Sequence, residues 1–154
     1  MLRKLTAPGR LYAVKLDEGE EVIEAVSRLI EAQGLDAAFI LGIGGLSEAE
    51  VGFYSYSEGV YRTVSLKPPE GYVLEVASLT GNAVTVDGRP SIHLHVVIGV
   101  DPRTTVAGHL AKGIVKPLME LMIVEAITSP GGVLEAFSHR KNYQPVYKPF
   151  QPQR

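Results

Sequence analysis

Apolar residues in this chain change their period near Gly34. Before it, RLYAVKL (residues 10–16) alternates Tyr12, Val14 and Leu16 with Leu11, Ala13 and Lys15, the period of a strand whose two faces are both partly apolar. DEGEEVIEAVSRLIEAQG then sets Val22, Ile23, Val26, Leu29 and Ile30 at the i, i+3/i+4, i+7/i+8 spacing of one helix face. Asp17 and Glu20 resemble a capping box with Asp in place of Ser or Thr, and Gly34 can take the left-handed conformation that closes a helix. The pattern predicts one main amphipathic helix over residues 20–34.

Beyond Gly34 the pattern is that of strands. AAFILGIGG is an apolar run ending in glycines, EVGFYSYSEGVYRTVSL alternates around a Ser-Glu-Gly turn, and YVLEVASLTGNAVTV is rich in β-branched residues. LMELMIVEAIT reads as a further strand, short because Lys116-Pro117 and Ser129-Pro130-Gly131-Gly132 bound it. Asp87-Gly88 lies between alternating apolar runs and predicts a hairpin turn that returns SIHLHVV as the next strand. From Ser138 onward, SHRKNYQPVYKPFQPQR mixes prolines with aromatics, as an extended arm does. The expectation is an α+β domain: a mostly antiparallel sheet of about seven strands, with the helix of residues 20–34 packed on it. Its boundaries are an N-terminal arm (1–9), a single domain (10–138) and an extended basic, proline-containing tail (139–154). A chain of 154 residues suits one core of this kind.

Composition narrows the function classes. No apolar stretch is long enough for a membrane span and MLRKLTAPGR lacks the apolar core of a signal peptide, so the expected location is the cytoplasm. With no cysteine, disulfides, thiol catalysis and cysteine-based zinc sites are excluded, and any metal must rest on histidine and carboxylate. The net charge of -2 is unevenly spread: residues 1–16 and 139–154 are basic without an acid, so residues 17–138 hold 7 basic against 17 acidic side chains. An acidic body argues against duplex binding by the domain itself and leaves only the ends for it.

Three of the four histidines lie in SIHLHVVIGVDPRTTVAGHLAKG. On a strand, Ile92, Leu94 and Val96 share one face and His93 and His95 the other, about 6.6 to 6.8 Å apart. Two imidazoles so placed can converge on one ion, with His109 as the third donor, brought close by the small Ala107 and Gly108. Spacing alone leaves a second reading open, in which His93 and His95 decorate a hydrogen-bonded sheet face and His109 is unrelated. His139, in the basic tail, reads as a surface residue. The H-x-H pattern lacks the following glutamate of a cupin, and the chain is too short for a metal-dependent TIM barrel. GIGGLSEAE lacks the dinucleotide-loop spacing, and in Asp87-Gly88-Arg89-Pro90 an acid stands where a minor-groove hook needs a cation.

Five segments, GRLYAVKLDEGEEVIEAV, ILGIGGLSEAEVGFY, LEVASLTGNAV, DGRPSIHLHVVIG and GHLAKGIVKPLMELMI, resemble in order the Plants and Prokaryotes Conserved (PPC) domain, also carried by plant AT-hook nuclear-localised proteins. The resemblance spans residues 10 to about 127. It implies an antiparallel α+β fold, assembly as a homotrimer, and a divalent metal, zinc in the first instance, held by His93, His95 and His109. Ala107-Gly108-His109 stands where relatives often show Gly-Gly-His. A regulatory or DNA-associated role is implied as well, although this chain has no AT-hook. The alternative is a small-molecule metalloenzyme, for which Glu75 and Glu120, each interrupting an apolar strand, are the candidate acid-base groups or outer partners of a histidine.

Overall fold

The computed structural model describes residues 6–127, 137, 139, 140 and 144–151. Its elements run β1 (Ala7–Asp17), α1 (Val22–Ala32), β2 (Ala37–Ser55), β3 (Val60–Leu66), β4 (Leu74–Val86), β5 (Arg89–Asp101), β6 (Thr104–Ile127) and β7 (Tyr147–Pro149). The seven strands form one sheet in the order β1-β6-β5-β4-β2-β3-β7, and an additional β6–β2 pairing closes β2, β4, β5 and β6 into a ring. All pairings are antiparallel except that of β3 with β7. The ring is possible because β6, 24 residues long, pairs first with β5, then with β2 and, towards its end, with β1 as well.

Inside the ring lies one apolar core that includes Ile40, Leu79, Leu94, Val96, Leu110, Leu121 and Ile123. α1 lies against β5 and β6 and contributes Val22, Val26 and Ile30, at most 1% exposed. Each such side chain stabilises the fold by about 1.5 to 3 kcal/mol through burial. The helix is nonetheless a minor element of 11 residues, shorter than the 20–34 expected. Its start is delayed because Gly19 N–H donates to the Val115 carbonyl, Val115 N–H donates to the Glu20 carbonyl, and Glu21 bridges Ile114, which keeps the chain extended. The cap is therefore Glu21, whose carboxylate accepts from Glu24 N–H at 2.8 Å, while Glu20 reaches back to Asp17 N–H at 2.9 Å. At the other end Gly34, at φ +61°, closes the helix as expected: its N–H donates to the Glu31 carbonyl and Leu35 N–H to that of Ile30.

Two expected strand breaks do not occur. Gly42, Gly44 and Gly45 do not end a strand but lie within β2, because the backbone of β6 passes where their side chains would be: a Cβ on Gly45 would collide with the Lys116 carbonyl and one on Gly44 with that of Leu118. β6 likewise runs through Pro117, at a register shift where β2 pairs with Val115 and then Met119 and needs no N–H from the residues between. The Asp87-Gly88 turn forms as predicted, both residues at positive φ (50° and 77°). On the outer surface Phe39, Leu41 and Ile43 alternate with buried Ala38 and Ile40, and Met122 is the register partner of Leu41, giving an apolar stripe about half exposed. Ser129-Pro130-Gly131-Gly132 lies outside the described residues.

Candidate metal centre

The ring places all three predicted histidines together. Leu94 and Val96 point into the core, so His93 and His95 stand on the opposite face of β5. His95 pairs in register with His109 on β6, and His109 pairs on its other side with Gly52 of β2. Gly108 is what permits this approach, since a Cβ there would lie 2.8 Å from the Gly52 carbonyl oxygen and 2.8 Å from Val51 Cγ1.

One ring nitrogen from each of His93, His95 and His109 lies within 4.8 Å of the others. Nε2 of His93 and Nε2 of His95 are 3.1 Å apart, close to the separation of roughly 3.3 Å that two nitrogens about 2.0 to 2.1 Å from one tetrahedral zinc would have. Burial, then the charge of Arg140, then His95 and His139, lower the His93 pKa to about 4. Burial, followed by His93, His95 and Arg140, does the same for His109, also to about 4. Both imidazoles are thus neutral at physiological pH, with lone pairs available. His109 is 6% exposed and its Nδ1 is buried with no hydrogen-bond partner. Three convergent imidazoles and an orphaned buried nitrogen fit a divalent ion that accepts nitrogen ligands.

Sequence reasoning missed the residues that surround these rings. Tyr61 stacks on His109 with ring centroids 4.6 Å apart, and Tyr147 Oη lies 2.9 Å from His109 Nε2. Arg140 is buried and donates to the Ser91 carbonyl at 2.9 Å and to Asn82 Oδ1, the side chain paired in register with His93. Tyr54, Tyr61, Arg140 and Tyr147 border a cavity of about 330 Å³ that reaches His93 and His109. The repeated aromatics of the tail were the one available signal, and nothing local tied them to the histidines. His139 is exposed, as expected, yet lines the same cavity. Glu75, opposite Gly99 and Gly45, and Glu120, opposite Lys15 and Ile43, are exposed and stand outside the histidine group.

A strand-dominated sheet carrying H-x-H on one strand and a third histidine on its neighbour defines the class. The profile of the Plants and Prokaryotes Conserved domain matches residues 3–127, and the chain belongs to that family. A plant- and prokaryote-conserved (PPC) protein of Pyrococcus horikoshii is similar at 29% identity and a TM-score of 0.76, over 84% of this chain and 87% of that one. A metal-containing protein of Archaeoglobus fulgidus is similar at 28% identity and a TM-score of 0.74, over 82% of this chain and 86% of that one. A protein of Ralstonia eutropha JMP134, provisionally named as DNA-binding, is similar at 25% identity and a TM-score of 0.68, over 77% and 78%. No curated protein matches the chain. No helix among the described residues is long and apolar enough to cross a membrane.

Proposed function

We propose that this protein binds one divalent ion, zinc, through His93, His95 and His109, and acts as a cytoplasmic homotrimeric PPC-domain module with a regulatory or DNA-associated role. The observation that carries the reading is the convergence of three imidazole nitrogens within 4.8 Å, one of the rings being buried with an unpartnered nitrogen. The metal-containing relative from Archaeoglobus fulgidus supports it. Three protein ligands leave zinc a fourth position, at which it would polarise a ligand or lower the pKa of a bound water. The chain's own residues do the rest: β5 orients His93 and His95, Gly108 lets His109 approach, and Tyr61 holds the plane of its ring. The proposed domain is residues 10–138, with an arm at 1–9 that enters β1 from Ala7 and a tail at 139–154 that returns β7 to the same sheet.

Self-association is supported by the half-exposed stripe of Phe39, Leu41, Ile43 and Met122, which a second copy would cover. The provisional name of the Ralstonia relative supports association with DNA. The charge distribution restricts that to weak, salt-sensitive contact through the basic ends. A second reading, a small-molecule metalloenzyme, is favoured by the cavity of about 330 Å³ that opens beside His93 and His109.

Metal analysis of protein purified without added metal, combined with solution mass, tests the proposal. One zinc per chain and its loss on His93→Ala, His95→Ala or His109→Ala are expected. Wild-type affinity in His109→Ala overturns the site. In cobalt-substituted protein, a visible spectrum that changes on addition of a small organic ligand would favour the enzyme reading.

A further inference from the structure

Tyr147 lies outside the span that matches the family, residues 3–127, yet it supplies the polar partner of His109, at 2.9 Å. β7 brings it there. Tyr61 N–H donates to the Val146 carbonyl at 2.8 Å, Phe150 N–H donates to the Thr63 carbonyl at 2.8 Å, and Tyr147 pairs in register with Tyr61. The contact between Tyr147 Oη and His109 Nε2 admits two tautomers. If the hydroxyl donates, the ring proton sits on Nδ1, a buried N–H with no acceptor. If Nε2–H donates, Nδ1 keeps only an unfilled lone pair. A buried donor without an acceptor is the rarer and costlier arrangement, whereas a bare lone pair is what a metal takes up.

We propose that Tyr147 holds His109 in the Nε2–H tautomer, which makes Nδ1 the atom His109 offers to the ion and makes docking of the C-terminal strand part of assembling the metal centre. The inference rests on the three-histidine reading given above. Tyr147 is a positioning residue: it acts through His109, in the manner of the outer partners to which metal-bound imidazoles donate their second ring nitrogen. Because 38 residues separate the two, zinc affinity becomes sensitive to a segment that contributes no ligand.

Nitrogen-detected NMR of the imidazoles tests this without recourse to activity. In metal-free wild-type protein His109 is expected to carry its proton on Nε2, and zinc is expected to shift Nδ1. Tyr147→Phe keeps the ring and removes the hydroxyl; it should mix the tautomers and weaken zinc binding by about ten- to a hundredfold. Tyr147→Gln, whose amide oxygen can accept the same N–H, should recover part of the loss. Thermal unfolding of the metal-free variants checks that they fold, and the wild-type tautomer is read without any substitution. A proton on Nδ1 in wild type, or zinc binding by Tyr147→Phe as tight as wild type or tighter, overturns the inference while leaving the three-histidine site standing. An Nε2–H tautomer in a wild-type protein that binds no zinc overturns both.

Discussion

The carbonyl oxygen of His93 fills the space that a Cβ on Gly81 would occupy. Gly81 pairs with Leu94 on β5 and with Ile40 on β2, so β4 is held tightly between two strands at the level of the histidines. Only glycine lets the three backbones lie so close there. Gly81→Ala should push β5 away from β4, cost about 1 to 3 kcal/mol in overpacking, and displace His93 from His95. Urea unfolding and zinc affinity should fall together. Gly99→Ala is the control, since its Cβ would meet that of Glu75 at an ordinary 3.6 Å. Equal behaviour of the two variants would refute the crowding argument.

Metal should appear in the stability of the fold. An ion that binds the folded chain alone stabilises it by about 2.7 kcal/mol when present at a hundred times its dissociation constant. Zinc is expected to raise the thermal midpoint of the wild type, with chelator reversing the gain. His93→Ala, His95→Ala and His109→Ala should each show none of it. A zinc-dependent midpoint that survives His109→Ala would place the ion elsewhere.

Below pH 5 a different pair should contribute to the pH dependence of stability. Arg10 donates from its side chain and backbone to Glu125, joining β1 to β6, and holds the Glu125 carboxyl at about 2 against an ordinary 4.5. A carboxylate whose pKa is depressed in the folded state stabilises the fold above its unfolded value and loses that contribution as pH falls through the folded one. Wild-type stability should therefore decline between about pH 4.5 and pH 2 more steeply than that of Glu125→Gln. Parallel urea midpoints across that window would count against the contact.

The apolar stripe should determine assembly. Leu41→Glu sets a charge beside Met122 at the centre of the exposed stripe, while the neighbouring buried Ile40 keeps its place in the core. Light scattering coupled to size exclusion is expected to find about three times 16.6 kDa for the wild type and a single 16.6 kDa chain for the variant. A trimer unaffected by Leu41→Glu would show that another surface joins the copies. A dilution-stable wild-type monomer would remove the homotrimer altogether.

What the sequence determined by itself was local. The helix stripe from Val22 to Ile30, the turn at Asp87-Gly88 and the shared face of His93 and His95 each depend on residues a few positions apart, where backbone periodicity alone sets direction. The left-handed stop at Gly34 was legible for the same reason. The helix start was not, because backbone bonds from a distant strand at Ile114 and Val115 override the capping signal at Asp17. Gly42, Gly44, Gly45 and Pro117 carry the usual marks of strand ends, and only the crossing of β2 by β6 turns the glycines into points of close approach and Pro117 into a bulge residue. His109 was a candidate by resemblance and by its small neighbours; that it faces His95 was decided when β5 and β6 paired in that register. Tyr147, Arg140 and Asn82 were invisible for a simpler physical reason. Their contacts join segments 38 to 58 residues apart, and such contacts are chosen by which strands close the ring, which no local pattern of side chains encodes.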